Sequence, residues 1–170
     1  PPRSTLFPYT TLFRSVTRSS AATLPVSIKV ATQELGVQEE LSSFSLPLGA
    51  TVNMDGVCIH LPMFAVLAAN MFGLPLTTAS LFVLVITTVL AAVGAGGVPG
   101  GSLMLLFIVL EAMGLGAEQV AVIVALALGV NPILDMFETM NNVTGDIVCT
   151  YVVAEREGLV SRPAARSGTE

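Results

Sequence analysis

From Gly56 to Leu110 the chain has no Asp, Glu, Lys or Arg, and over its whole length it has no tryptophan, two cysteines and a single histidine. Each scarcity excludes something. Cys58 and Cys149 stand in apolar segments without Cys-x-x-Cys spacing, so they read as small core residues rather than as a disulfide or a metal site. One histidine, His60, leaves no His-Glu-x-x-His motif, and a Gly-x-Ser-x-Gly elbow is absent too. An intramembrane hydrolase imagined from Ser20, His60 and Asp135 therefore has no motif behind it, and His60 reads as a hydrogen-bonded structural residue before a proton relay. Seven basic residues against twelve acidic ones, a net charge of -5, offer no basic patch to nucleic acid. Charged residues make up 11% of the chain and hydrophobic ones 53%, with mean hydropathy +0.81. A soluble domain carries about 25% charge, and the uncharged run far exceeds the roughly 20 apolar residues one spanning helix needs. The composition is that of an all-α membrane protein with several spans in the lipid bilayer.

What polarity there is falls in a few places. Asn131, Asp135, Glu138, Thr139, Asn142 and Asp146 lie within about 100° of arc on one helix face at 100° per residue. The apolar run Val120 to Val130 leads into this stripe and Ile147 to Ala154 follows it, so the carboxylates fall at membrane depth, where ionisable groups mark function. A soluble core helix with a few satisfied polar residues is the plainer alternative. Asn53-Met-Asp-Gly56 interrupts a second apolar segment. An unwound turn there frees backbone carbonyls beside the Asp55 carboxylate, an oxygen-only set suited to a small cation and a device of sodium-coupled transporters. Between flanks that were not apolar the same four residues would be a simple turn.

In chain order, residues 1 to 15 look like the translation of a sequencing adapter running into coding sequence at Val16; they are set aside from fold reasoning, and an N-terminal extension of the natural protein is expected. Arg18-Ser-Ser-Ala-Ala-Thr-Leu-Pro25 offers small, hydroxylated residues that cap a helix or hold an anion, and Pro25 permits a new helix start. Val26 to Leu35 is predicted as an amphipathic helix and Gly36 to Ser43 as an exposed connection. Val57 to Phe72 and Thr77 to Val93 are predicted helices. Gly94-Ala-Gly-Gly-Val-Pro-Gly-Gly101 then forms an uncharged tip before a helix over Ser102 to Met113, the pattern of a re-entrant hairpin whose glycines suit a gate. A tight turn between two ordinary spans is the alternative. The stripe helix is expected to end at Ala154, leaving residues 155–170 as a polar, arginine-bearing tail on the cytoplasmic side.

Ser19-Ser-Ala-Ala-Thr-Leu-Pro25, Leu46-Pro-Leu-Gly-Ala-Thr-Val-Asn-Met-Asp-Gly56, Gly97-Val-Pro-Gly100 and Asn142-Val-Thr-Gly-Asp146 occur in the order of the successive signatures of the dicarboxylate/amino acid:cation symporters. The chain after residue 16 resembles that family, the glutamate transporter homologues. The resemblance implies part of a transport domain over residues 16–154: the end of a first re-entrant hairpin, a broken seventh helix, a second hairpin and an eighth helix. It implies a multi-pass protein of the cell (inner) membrane, homotrimeric in full, moving a small amino acid or dicarboxylate with sodium, or with protons. By the same resemblance Asn53, Asp55, Asn142 and Asp146 belong to sodium sites, with backbone oxygens from Gly49, Thr51, Met54, Ala92, Val93 and Ala95. Asp135 and Thr139 hold the substrate ammonium, and Asn142 with the Ser19/Ser20 tip holds its α-carboxylate. Val98, Pro99 and Gly100 close over it.

Three departures bear on substrate and coupling. Glu138 stands where acidic-amino-acid transporters have an arginine, Asn131 where archaeal members have an aspartate, and Leu61 near where mammalian members have a proton-carrying glutamate. One turn from Asp135, a Glu138 carboxylate repels an acidic side chain, which favours a neutral or cationic amino acid. The competing expectation is that Arg18 reaches Glu138 and neutralises it. A channel or passive membrane subunit remains the alternative function, since broken helices and re-entrant loops also line pores.

Overall fold

The computed structural model describes residues 17–161; the adapter-like residues, Val16 and the tail beyond Ser161, with Arg162 and Arg166, lie outside them. The described residues form helices α1 (Ser20–Lys29), α2 (Glu39–Val52), α3 (Asp55–Phe72), α4 (Thr78–Val93), α5 (Gly101–Ala112) and α6 (Ala117–Arg156), with a π-helical turn, Val30–Glu34, after α1.

The start of α1 departs from the sequence reading. Ser19 is extended and its Oγ accepts the Ala22 N–H at 3.1 Å, so the helix begins at Ser20 and Pro25 falls inside it. A capping hydroxyl sets the start more firmly than a proline six positions on, which only removes one i to i−4 bond. The predicted exposed connection at Gly36 to Ser43 is shorter than expected. Val37 is buried and pairs with Val160, the Gln38 N–H donates to the Leu159 carbonyl at 3.0 Å, and α2 already starts at Glu39. Acidic Glu39 and Glu40 sit in the first turn of that helix, where its dipole favours them. The beginning of the polar tail is therefore docked against α2's entry. Cys149 is exposed rather than in the core, and Cys58 is half-buried; neither is in a disulfide.

Helix α6 is the axis of the fold. Its 40 residues rise about 60 Å at 1.5 Å per residue. It runs past Ala154 to Arg156, a basic residue in the last turn that complements the helix dipole. One apolar cluster, with Val57, Leu61, Leu84, Leu106, Leu110 and Ile123, packs α3, α4 and α5 on the first half of α6. A second, with Ala31, Val37, Leu46, Val143, Ile147 and Ala154, packs α1 and α2 on its last part. Between Ala127 and Val143 the buried positions of α6 are Asn131, Asp135, Glu138, Thr139 and Asn142, all polar. The polar stripe thus bridges two dry cores.

Segments Glu39–Phe72 and Ala117–Arg156 are long and apolar enough, by length and composition, to cross a membrane. Phe44, Phe82, Leu90, Met104, Ile133 and Phe137 are exposed large apolar side chains, an extent that a soluble monomer rarely tolerates.

Candidate functional site: two polar clusters on one helix

The first cluster forms where α2 gives way to α3. Asn53 (φ -104°, ψ 87°) and Met54 (φ -112°, ψ 63°) are non-helical, while Asp55 and Gly56 already belong to the first turn of α3. The break is two residues long, shorter than the four-residue interruption the sequence suggests. It faces the far end of the stripe: Asn53 Nδ2 donates to Asp146 Oδ1 at 2.9 Å. Gly49 packs so closely on Asp146 that a Cβ there would collide with its carboxylate, and a Cβ on Gly145 would collide with Asp55 Oδ2 and lie 3.0 Å from Asn53 Nδ2. Both glycines are positions where a bare backbone lets a carboxylate approach. Asp146 is buried and Asp55 exposed, and no cationic side chain pairs with either among the described residues.

Asn142 secures the break. Its Oδ1 accepts the Gly56 N–H at 2.6 Å and its Nδ2 lies 3.3 Å from Met54 Sδ. Of the proposed carbonyl ligands, that of Gly49 accepts the Asn53 N–H at 2.8 Å and that of Met54 the Val57 N–H at 3.1 Å. Thr51 is exposed, and the Ala92 carbonyl accepts the Ala95 N–H at the end of α4. No hydrogen bond joins Ala92, Val93 or Ala95 to the Asp146 cluster among the described residues. Among those residues, moreover, no three His, Cys, Asp or Glu side chains converge on a metal position. What does gather at the break is two carboxylates and the amides of Asn53 and Asn142, hard donors of the kind that suit a small alkali cation and not a thiophilic metal.

The second cluster gathers about Asp135. Arg18 approaches its Oδ2 through Nε at 3.0 Å and through a terminal guanidinium nitrogen at 2.9 Å, and the Gly100 N–H donates to the same oxygen at 3.0 Å. Arg18 takes a left-handed conformation (φ 53°) just before α1, a conformation uncommon outside glycine. Ser19 Oγ donates to the Gly97 carbonyl at 2.6 Å and the Ala21 N–H to the same carbonyl at 3.3 Å. The two helix-start tips, residues 17–20 and 96–100, are thereby tied together over α6. Ser20 is buried beside them, whereas Val98 and Pro99 are exposed at the outer tip.

Glu138, one turn along, has a different partner from the one expected. Arg18 is on Asp135, and Glu138 Oε2 instead lies 2.7 Å from His60 Nδ1. The cause is Gly56: a Cβ there would come within 2.6 Å of the Glu138 backbone, so the bare glycine lets α3 close on α6 at Glu138, and His60 follows one turn later on the same face. Sequence reasoning left His60 without a partner; the i, i+4 spacing of Gly56 and His60 opposite an acidic stripe was the available signal. Ser102, 3.4 Å from His60 Nδ1, had no signal at all. The larger surface groove, about 730 Å³ along Cys58, Ile59, Met63 and Leu67, is apolar and takes in none of the stripe. A smaller one of about 260 Å³ is lined by His60 and Glu138.

With a cation-type oxygen set and an amine-type carboxylate on one buried face, comparison with known sequences becomes decisive. Residues 8–156 match the Sodium:dicarboxylate symporter family. The chain belongs to that family. It is 42% identical over 135 residues to excitatory amino acid transporter 3 of Mus musculus, covering 79% of this chain and 25% of that protein. To neutral amino acid transporter A of Bos taurus it is 40% identical over 141 residues, 83% of this chain and 26% of that protein. The chain spans about a quarter of the length of these curated relatives. These relatives are named as transporters, of excitatory amino acids in one case and of neutral amino acids in the other.

Proposed function

We propose that the chain is part of the transport domain of a sodium-coupled symporter that carries a small amino acid into the cell, with a neutral or cationic substrate favoured over an acidic one. The observation that carries this reading is the two-residue helix break at Asn53–Met54 held against Asp146 on a 40-residue apolar helix. In this reading Asp55, Asp146, Asn53, Asn142 and carbonyls of Gly49, Thr51, Met54, Ala92, Val93 and Ala95 take sodium, with proton coupling a further option of the same carboxylates. Asp135 and Thr139 take the ammonium; Ser19, Ser20 and Asn142 take the α-carboxylate. The α4–α5 hairpin acts as the gate through Val98, Pro99 and Gly100. Its length supports a re-entrant path: α5, at 12 residues, rises about 18 Å, short of the roughly 30 Å hydrocarbon core.

Substrate entry has a defined obstacle. Arg18 and Gly100 already satisfy Asp135, so an incoming ammonium displaces or joins a guanidinium, and the tie between the two tips loosens as it does. The whole protein is read as a homotrimer in the inner membrane, with residues after Arg156 cytoplasmic. Sodium-driven uptake into proteoliposomes containing the whole transporter tests the function. Accumulation of an amino acid against its gradient, lost without sodium, supports it; equilibration that stops at equal concentrations identifies a pore instead. The chain alone, from residue 16 on, is expected neither to transport nor to trimerise, because its exposed apolar faces await further helices.

A further inference from the structure

Residues 158–161 belong to neither polar cluster, yet they are built onto the fold. Gly158, left-handed at φ 69°, turns the chain out of α6, and the Leu159 N–H closes on the Ala154 carbonyl at 2.7 Å. The chain then runs antiparallel to the joint between α1 and α2. The Gln38 N–H donates to the Leu159 carbonyl at 3.0 Å, the Ser161 N–H donates to the Gly36 carbonyl at 2.8 Å, and Val160 pairs with buried Val37. This strap holds the joint directly after the π-helical turn Val30–Glu34, which the Leu35 N–H closes on the Val30 carbonyl at 3.0 Å. Such turns are rare and concentrate at functional sites.

The other end of α1 carries Arg18, Ser19 and Ser20, about 20 Å from the strap at 1.5 Å per residue. Among the described residues, the hydrogen bonds that join α1 and its flanks to the rest of the fold fall at these two ends. At the tip Arg18 bonds to Asp135, and Ser19 and Ala21 bond to Gly97; at the base there is the strap. Between them Thr23, Ser27 and Thr32 donate their hydroxyls to carbonyls of their own helix, while Leu24, Ile28 and Ala31 join the apolar cluster with Val143 and Ile147 of α6. Helix α2 differs, because Ser45 Oγ lies 2.8 Å from Thr150 Oγ1 of α6 part-way along it. Helix α1 is a strut with polar pins at its ends alone.

We propose that the strap of residues 158–161 is the standing anchor of α1, a positioning device that keeps Ser19, Ser20 and Arg18 in register over Asp135 while the tip's own bonds exchange with substrate. The proposal rests on the transporter reading above, in which an incoming ammonium loosens the tip at Asp135 and Gly97. With the tip open, the strap is the remaining polar hold on α1. Its loss frees the π turn to flex, and a segment that opens locally exchanges its amide hydrogens faster than the rest of the fold.

Amide hydrogen exchange and equilibrium amino-acid binding by the whole transporter test this in four forms. These are wild type, Ser161→Pro, which removes a strap N–H, Gly158→Val, which strains a left-handed turn with open space around it, and Ser161→Ala, which keeps the backbone bond. In Ser161→Pro and Gly158→Val, exchange over residues 20–29 should rise at least about tenfold, with residues 78–112 within about twofold of wild type. Amino-acid Kd should rise about three- to tenfold, and sodium binding without amino acid should stay within about twofold. Ser161→Ala should match wild type throughout. Unchanged exchange over residues 20–29 overturns the proposal, as does an unchanged Kd, or exchange that rises equally over residues 78–112. If Ser161→Pro does not accumulate in the membrane, Gly158→Val decides; failure of both shows a strap needed for folding and overturns the positioning role. A wild type that binds no amino acid defeats the transporter reading instead, and the exchange pattern still decides whether the strap anchors α1.

Discussion

The two polar clusters on α6 hold their carboxylates in opposite ways. About Asp135 and Glu138 the protein supplies its own counter-groups: a guanidinium from Arg18, an imidazole from His60 and a backbone N–H from Gly100. About Asp146, eleven residues beyond Asp135 on α6, and Asp55 in the first turn of α3, it supplies an amide and two bare glycines, but no cation among the described residues. Taking ionised groups out of water is expensive unless they are paired. On the proposed function the difference has a meaning: a pair satisfied from within exchanges its partner for an organic ligand, and a pair left unneutralised takes a small ion from solution. Both depend on glycine: at Gly56 the Glu138 backbone comes close for the first, and at Gly49 and Gly145 a carboxylate packs on bare backbone for the second.

The contrast breaks most completely if the cation cluster loses charge. Asp146→Asn keeps shape and removes a carboxylate, so sodium affinity should fall at least about tenfold, 1.4 kcal/mol, and sodium-dependent uptake should vanish while the protein still accumulates in the membrane. Unaltered sodium dependence in that variant would sink the cation assignment. Gly49→Ala tests the same cluster by volume. Its Cβ meets the Asp146 carboxylate, and overpacking of this kind costs about 1–3 kcal/mol; a thermal-stability assay should show a lower Tm together with weaker sodium binding, while a Tm and sodium affinity equal to wild type would contradict the close approach. A smaller change is expected from Arg18→Gln, which bares Asp135 to the substrate. Half-saturating substrate concentration should drop by about three- to tenfold, in proportion to the charge-assisted bonds removed, with sodium affinity hardly altered; a rise in that concentration would show that Arg18 assists binding rather than competing with it.

Much of this was legible in the sequence, for reasons that can be located. The stripe from Asn131 to Asp146 showed because helical period acts on polar residues in an apolar background as it does on apolar residues in a polar one. The break at Asn53 showed because polar residues and glycine interrupt an uncharged run. Partner choice did not show: Arg18 is on Asp135 and not on Glu138, and His60 is on Glu138, because side-chain pairing between helices depends on interhelical register that no single-helix periodicity contains. The start of α1 was misplaced for a local reason, since Ser19 caps the helix and outweighs Pro25. Val37 and Val160 pair across more than a hundred residues, which left the connection before α2 looking exposed.

The central claim is that the Asp146 cluster takes sodium and that its occupancy favours amino acid at Asp135. Equilibrium binding of the transported amino acid by the whole protein, in sodium and in choline, measures this directly. A coupling free energy between two sites is reciprocal, so Kd should be at least about tenfold tighter in sodium, and sodium should bind tighter by the same factor when the amino acid is present. That factor should disappear in Asp55→Asn. A Kd equal in sodium and choline would contradict the account.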